Sequence, residues 1–276
     1  MKHKLTLATG VLLGTAMTIS PVHAAEDDIA EVAGKGVGFV GLGVAYKPDY
    51  EGSEDYEGKI APFGRYNWAS GRYVSLAGTA GSESAARLKA NILRKEGRDG
   101  LELGPVLQYR MKRDDDVDNN KVSKMKEVDA ATEAGAFIGF TSGNFSFDVT
   151  YATDVSSEHD GSLLYFNGGY RIPVNDKFDM KLGAHVTWAD DDYMETYFGV
   201  SNSDSARSGL SKYTASSGIK DAGISVTGFY RFNQAWGIAG LLGYTQMLND
   251  AEDSPLVNDE GDEAQMKAVV AVTYTF

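Results

Sequence analysis

Hydrophobic and polar residues alternate along much of the chain, in segments of about eight to eleven residues. The last segment, residues 266–276, places Met266, Val270 and Phe276 on one face and Lys267 on the other. A period of two residues is typical of a β-strand that buries one face in apolar surroundings. The pattern therefore predicts an all-β protein.

The alternation predicts about twelve strands, separated by two kinds of connection. The strands are predicted at residues 37–46, 58–68, 72–80, 84–94, 100–110, 130–141, 143–153, 161–172, 177–189, 220–232, 235–247 and 265–276. Short connections at 69–71, 95–99, 142, 173–176 and 233–234 alternate with long, acidic ones at 47–57, 111–129, 154–160, 190–219 and 248–264. Only the connection 81–83 is short where a long one is due.

This sorting of connections by length favours a transmembrane antiparallel β-barrel over a soluble β-sandwich. Outer-membrane barrels have short periplasmic turns and long extracellular loops, whereas a sandwich has no reason to sort its loops. The run 193–200 also alternates, but a thirteenth strand would break the even count. We therefore place it in the loop 190–219, or as an extension of the strand before it.

Aromatic residues at strand ends support a membrane position. They lie on the predicted lipid-facing side, where interfacial belts of amphipathic rings are expected; a soluble core would place them in mid-strand more often. These residues are Trp68, Tyr109, Trp188, Tyr230, Trp236 and Phe276.

The first 24 residues predict a cleaved secretory signal peptide. Lys2 and Lys4 precede an apolar stretch at 5–19, and residues 22–24 form a small-x-small cleavage pattern. The alternative, a single membrane anchor, needs about 20 apolar residues. The predicted domains are thus the signal peptide, 1–24, and a barrel, 25–276, in the outer membrane of a Gram-negative bacterium.

Composition excludes several classes of protein. Removing the leader with its two lysines changes the formal charge from −13 to −15, which disfavours nucleic-acid binding. Without cysteine there is no disulfide, thiolate catalysis or cysteine-ligated zinc. Outside the leader no stretch of 18 residues is apolar, so helical membrane spans are not expected.

Candidate catalytic and metal-binding residues are sparse. His159 lies between Glu158 and Asp160, so a hydrolase site is one interpretation, but a solvated loop histidine is favoured. His185 is predicted to line the lumen. The acidic clusters lack the interleaved spacing and turn glycine of an EF-hand, so they are interpreted as solvated loops. We predict no catalytic residue, no cofactor and no metal site.

Charged residues fall on the predicted inward face of many strands. They either line a polar conduit that favours anions, or pair with one another and plug the barrel; plugging is favoured, although twelve strands are compatible with both. These candidate lumen-facing residues are Arg65, Arg87, Lys89, Glu102, Arg110, Asp148, Asp179, Lys181, His185 and Arg231.

Several local motifs go beyond alternation. They are residues 48–53 (PDYEGS), 197–200 (YFGV), 205–210 (SARSGL), 248–251 (LNDA) and 254–257 (SPLV). With these motifs the predicted mature chain resembles the MipA/OmpV family of outer-membrane proteins.

The resemblance implies a non-enzymatic scaffold for peptidoglycan-remodelling enzymes. The implied partners are a periplasmic lytic murein transglycosylase and a bifunctional penicillin-binding protein, besides outer-membrane lipid and lipopolysaccharide. A narrow porin-like channel or a surface adhesin is the alternative, and an outer-membrane hydrolase is a further one. The resemblance supplies no catalytic residues.

Overall fold

The computed structural model describes residues 36–95 and 97–276, and within them twelve strands form a closed antiparallel barrel. Each strand pairs with its neighbours in sequence, and the last pairs with the first. The predicted leader, 1–24, lies outside the described residues. The strands are β1 (Val37–Pro48), β2 (Tyr56–Asn67), β3 (Tyr73–Gly78), β4 (Ala85–Asn91), β5 (Gly100–Arg110), β6 (Ala131–Ser142), β7 (Phe145–Asp154), β8 (Ser162–Asn175), β9 (Phe178–Ala189), β10 (Gly218–Arg231), β11 (Trp236–Met247) and β12 (Ala264–Thr275).

The outside of the barrel is apolar and the inside is filled by alternate residues of the same strands. In β1, Leu42 and Val44 are about 60% exposed, whereas Ala45 between β12 and β2 is fully buried. Exposed large hydrophobic residues occur on every strand: β2, β3, β4 and β9 contribute one each, and the other strands two or more. Such a continuous apolar surface is expected to face lipid. The predicted transmembrane β-barrel is confirmed.

Five of the six aromatic residues predicted for the interfacial belts are exposed. Trp188 is only partly exposed. The others, Trp68, Tyr109, Tyr230, Trp236 and Phe276, are each between 41% and 58% exposed.

The connections at one end of the barrel are short and those at the other end are mostly long. The long connections carry three α-helices, α1 (Asp191–Phe198), α2 (Asn202–Ser208) and α3 (Pro255–Asn258). The run 193–200 thus lies in a loop and is mainly helical. Asp190 caps α1 by accepting a hydrogen bond from the backbone N–H of Tyr193. In the described residues no helix is both long and apolar enough to span a membrane.

Four long loops fold inward over one mouth of the barrel, and we call them the cap: residues 49–55, 111–130, 190–217 and 248–263. Two apolar clusters hold the cap together. In one, Tyr193, Met194 and Phe198 of α1 pack against Met247 and neighbouring residues. In the other, Tyr50 packs with residues that include Val122, Met125, Val200, Leu210 and Leu256. The cap is therefore a packed layer rather than a set of solvated loops.

The barrel closes along a seam between β1 and β12. Phe39 lies opposite Thr275, and the ladder continues to Tyr46 opposite Ala268. Gly38 and Phe276 extend the seam by exchanging two backbone hydrogen bonds of 2.9 and 2.8 Å. The aromatic ring of Phe276 covers Gly38, so a side chain at position 38 would displace it.

Candidate functional site

A network of buried charges crosses the barrel beneath the cap. The ammonium group of Lys220 lies 2.6 Å from a carboxylate oxygen of Asp221 and 3.2 Å from one of Glu51. Glu83 supplies a third carboxylate oxygen at 3.4 Å. The side chain of Lys220 has no exposed surface. A buried charge is tolerated only when it is paired and hydrogen-bonded. Lys220 meets this condition with three carboxylate partners.

Arg110 at the end of β5 extends the same network. Its Nε donates a hydrogen bond of 2.6 Å to Glu133, and its Nη1 lies 3.2 Å from Glu51. Nη1 also donates to the hydroxyl group of Tyr193 at 2.8 Å. Glu51 thus joins the two buried cations. We call this group the ion network; it comprises Glu51, Glu83, Arg110, Glu133, Lys220 and Asp221.

A β-bulge explains how two consecutive residues of β10 both enter the barrel. The pairing of β10 with β9 shifts register between Ile219 and Asp221, so Lys220 is the extra residue. In a regular strand, successive side chains point to opposite faces, and a bulge breaks this alternation. Lys220 and Asp221 are consequently both fully buried.

The connection between β3 and β4 is short because it folds into the barrel instead of over it. Ser82 donates two hydrogen bonds to Asp221, from its backbone N–H at 3.1 Å and its hydroxyl at 2.7 Å. Glu83 is 1% exposed. Burial alone would raise the pKa of Glu83, but the opposing charge of Lys220 holds this pKa below its ordinary value.

His159 is buried, which makes the expectation of a solvated loop histidine wrong. Its imidazole lies edge-on against the rings of Tyr193 and Tyr197, so α1 excludes it from solvent. The Nε2 atom is 3.1 Å from Glu133, and Nδ1 accepts the backbone N–H of Gly161 at 3.1 Å. Both ring nitrogens are therefore occupied by structural partners, and neither holds a hydroxyl nucleophile.

His185 lies in the barrel wall with the wrong partners for a catalytic triad. Its Nε2 is 3.4 Å from the hydroxyl oxygen of Thr245 and 3.7 Å from Asp221. In a triad the nucleophile and the carboxylate occupy different ring nitrogens, so that one can orient the base for the other. Here both approach the same nitrogen. Across residues 36–95 and 97–276, no group of three or more metal-ligating side chains is arranged to hold an ion.

A cavity of about 190 Å³, which we call the chamber, occupies the barrel beneath the ion network. Lys89 donates a hydrogen bond of 2.7 Å to Asp148 across it, and Arg65 stacks on the ring of Tyr73 at 3.6 Å. Glu102 accepts hydrogen bonds from Lys95 and Tyr73. Seven of the ten candidate lumen-facing residues line the chamber: Arg65, Arg87, Lys89, Glu102, Asp148, Lys181 and His185.

The remaining three candidates lie elsewhere. Arg110 belongs to the ion network. Asp179 and Arg231 lie near the short-turn end, where Asp179 is 2.9 Å from Arg171 and 3.5 Å from Arg231. Arg231 also donates to the backbone carbonyl of Asp176 at 2.7 Å. The candidates therefore form three groups at different depths of the barrel.

The motifs that stood out in the sequence meet in the cap. Tyr50 of the first motif donates its hydroxyl to the backbone carbonyl of Leu256 in the last, at 3.4 Å. Ser254 donates to the carbonyl of Phe198 at 2.6 Å. The same first motif supplies Glu51 to the ion network. Segments far apart in sequence therefore form one interlocked structure at one mouth of the barrel.

A family model described as MltA-interacting protein MipA matches residues 40–276, the range that contains these motifs. The chain belongs to the MipA family. Family and barrel fold together place this MipA-family protein in the outer membrane of a Gram-negative bacterium.

Two curated relatives are both called MltA-interacting protein, one from Escherichia coli strain K12 and one from Shigella flexneri. Each is 31% identical to this chain over 94 residues. The matched segment covers 34% of this chain and 34% of each relative. The chain thus aligns with about a third of the length of these relatives. Their names describe an interacting protein rather than an enzyme.

Solved outer-membrane proteins are similar at low identity. A NanC porin structure has 9% identity and a TM-score of 0.46, with 85% of this chain and 98% of that chain covered. A COG4313 outer membrane channel from Pseudomonas putida F1 has 12% identity and a TM-score of 0.44, covering 88% and 96%. OmpT of Vibrio cholerae has 9% identity and a TM-score of 0.40, covering 88% and 97%.

Proposed function

We propose that this protein is a capped, non-enzymatic outer-membrane barrel that anchors a lytic murein transglycosylase to the membrane. The observation that carries the proposal is the MipA-family match over 237 residues, 40–276, since relatives that share the family are called MltA-interacting proteins. A bifunctional penicillin-binding protein is the second proposed partner, because the family resemblance implies an assembly of both enzymes.

The filled barrel supports a scaffold more than a transport pore. The cap and the ion network occupy one mouth, and each cation of that network has a carboxylate partner. A pore for diffusion needs an unobstructed aqueous path, whereas a scaffold needs a rigid frame. The buried and fully partnered histidine His159 likewise supports a structural role over hydrolysis.

The short-turn end is the proposed docking side. In outer-membrane barrels the short turns face the periplasm, where a murein enzyme works. Charged residues such as Arg72, Asp176 and Lys177 lie in or beside these turns. The apolar belt is proposed to contact lipid, and the cap to contact lipopolysaccharide.

Co-purification tests this proposal. The protein is extracted in detergent with a tag in the turn 233–234, or with the same tag in the exposed cap segment 115–116. The tag in the cap should leave capture of the transglycosylase intact, and the tag in the turn should abolish it. Equal capture by both would refute docking at the short turns, and no capture by the cap-tagged protein would refute the scaffold.

A further inference from the structure

Cations outnumber carboxylates in the chamber. Two carboxylates, Glu102 and Asp148, lie on its wall. Four cationic side chains lie there with them: Arg65, Arg87, Lys89 and Lys181. The ion network above has the opposite balance, with two cations, Lys220 and Arg110, among four carboxylates. The excess of positive charge is therefore local to the chamber.

Both carboxylates of the chamber already have cationic partners. Asp148 lies 2.7 Å from Lys89, and Glu102 lies 2.6 Å from Lys95. Glu102 in addition accepts the hydroxyl of Tyr73 at 2.7 Å. Neither carboxylate is left to neutralise a further cation.

Arg87 and Lys181 have no carboxylate within 4.0 Å among the described residues. Arg87 is 6% exposed; its Nε donates to Gln108 at 2.7 Å, and its guanidinium group stacks on Tyr165. Its Nη2 is buried without a hydrogen-bond partner in the described structure. Lys181 likewise makes no hydrogen bond there, although it lines the chamber. Lys181 is half-buried, whereas Arg87 is a buried cation, and a buried cation is costly unless a counter-charge reaches it.

We propose that the chamber is a binding site for a small oxyanion, a carboxylate or a phosphate, held by Lys181 and Arg87. Guanidinium and ammonium groups form their strongest hydrogen bonds with such oxygens. The chamber is smaller than the roughly 300–1,000 Å³ of sites for drug-sized ligands, so the anion is a small one. The site is independent of any partner protein.

Isothermal titration calorimetry of the intact protein in a non-ionic detergent at low salt tests this. The probes are inorganic phosphate, acetate and, as a cationic control, choline. We expect saturable binding of phosphate or acetate and no binding of choline. The anion that binds more tightly shows whether the site takes a phosphate or a carboxylate. Absence of saturable binding by either anion to the folded protein would overturn the proposal.

Three variants locate the site. Lys181→Met should lower the affinity for the anion about tenfold or more, because it removes a charge-assisted hydrogen bond. Lys212→Gln, an exposed lysine in the cap, is the matched control and should bind like the unmodified protein. Asp148→Asn should tighten binding by releasing Lys89.

Heat-modifiable migration on gels checks that each variant is folded. Equal affinities of Lys181→Met and Lys212→Gln would overturn the assignment. Should Lys181→Met not fold, Asp148→Asn decides alone, and an unchanged or weaker affinity in that variant contradicts the site.

Discussion

The carboxylate of Glu51 accepts a hydrogen bond of 2.6 Å from the hydroxyl group of Tyr193, across 142 positions of the chain. One residue comes from the loop after β1 and the other from α1. The same carboxylate also lies 3.2 Å from Arg110 and 3.2 Å from Lys220. Glu51 is thus one of the points at which the cap is fastened to the barrel wall.

Replacing Glu51 by Gln should lower the free energy of unfolding by about 2 kcal/mol. Removing one partner of a buried ion pair leaves charge uncompensated, but Arg110 and Lys220 each keep another carboxylate. The stability is measured as the midpoint of unfolding by guanidinium chloride in detergent. The rate of tryptic cleavage within the cap is measured beside it. Glu54→Gln in the same loop is the exposed control and should change neither. Equal behaviour of the two variants would contradict the role of Glu51.

Acidification should destabilise the protein through Glu83. The pKa of Glu83 is below its ordinary value in the folded protein, so the unfolded chain binds a proton more readily. The stability that Glu83 contributes is therefore complete above the ordinary pKa of 4.5. It is lost as the pH falls through the pKa of Glu83 in the folded protein. Unfolding free energies measured between about pH 6 and pH 3 should fall less steeply for Glu83→Gln. Parallel curves for the variant and the parent would show that Glu83 does not carry this dependence.

Position 52 requires glycine for two reasons, the backbone conformation there and a side chain that lies close to it. Its φ is +91°, and a Cβ atom there would collide with Val257 in the cap. Gly52→Ala should cost about 2–4 kcal/mol of stability, from the left-handed backbone and from overpacking. Gly209→Ala isolates the first cause, because Gly209 has φ +80° and open space at its Cβ position; it should cost about 1 kcal/mol. Chemical denaturation of both variants checks the difference, and equal costs would remove the collision from the explanation.

Removing the largest cap loop should open the barrel. Gly218 and Ala189 are paired, so an Asn-Gly turn can replace residues 190–217. This change removes α1 and α2 and with them Tyr193. In planar lipid bilayers we expect discrete conductance steps from the shortened barrel and none from the intact protein. A shortened barrel that migrates as folded yet stays silent would mean that the closure lies deeper than the cap.

Strand positions can be predicted from the sequence because a strand with one face in lipid must alternate apolar and inward-facing residues with a period of two. Each of the twelve predicted strands is present, and most bounds shift by one to three residues. The segment 72–80 is shorter, at Tyr73–Gly78, because the residues that follow it turn into the barrel, and the segment 84–94 is shorter mainly because it ends at Asn91. No alternation marks a connection that folds inward, so Glu83 was not among the predicted lumen residues.

The ion network was only partly predictable. Arg110 lies at an inward position of a regular strand and was predicted. Lys220 enters the barrel through a bulge, and a bulge cancels the alternation on which the prediction rests. For α1 a usable signal existed: Asp190 is a capping residue, and the buried Tyr193, Met194, Tyr197 and Phe198 have helical spacing. The burial of His159 follows from that helix and could not be inferred without it.

The seam between β1 and β12 sets the order of assembly. Every other ladder joins strands that are neighbours in sequence and can form as a local hairpin, whereas the seam brings Gly38 to Phe276. Long-range closure carries the greatest loss of chain entropy and is therefore slow. Glu51 lies just after β1, and Lys220 lies near the start of β10. The two therefore meet across the barrel only after β1 has paired with β12. The cap is consequently a late-maturing part of the molecule, and an intact cap reports that the barrel has closed.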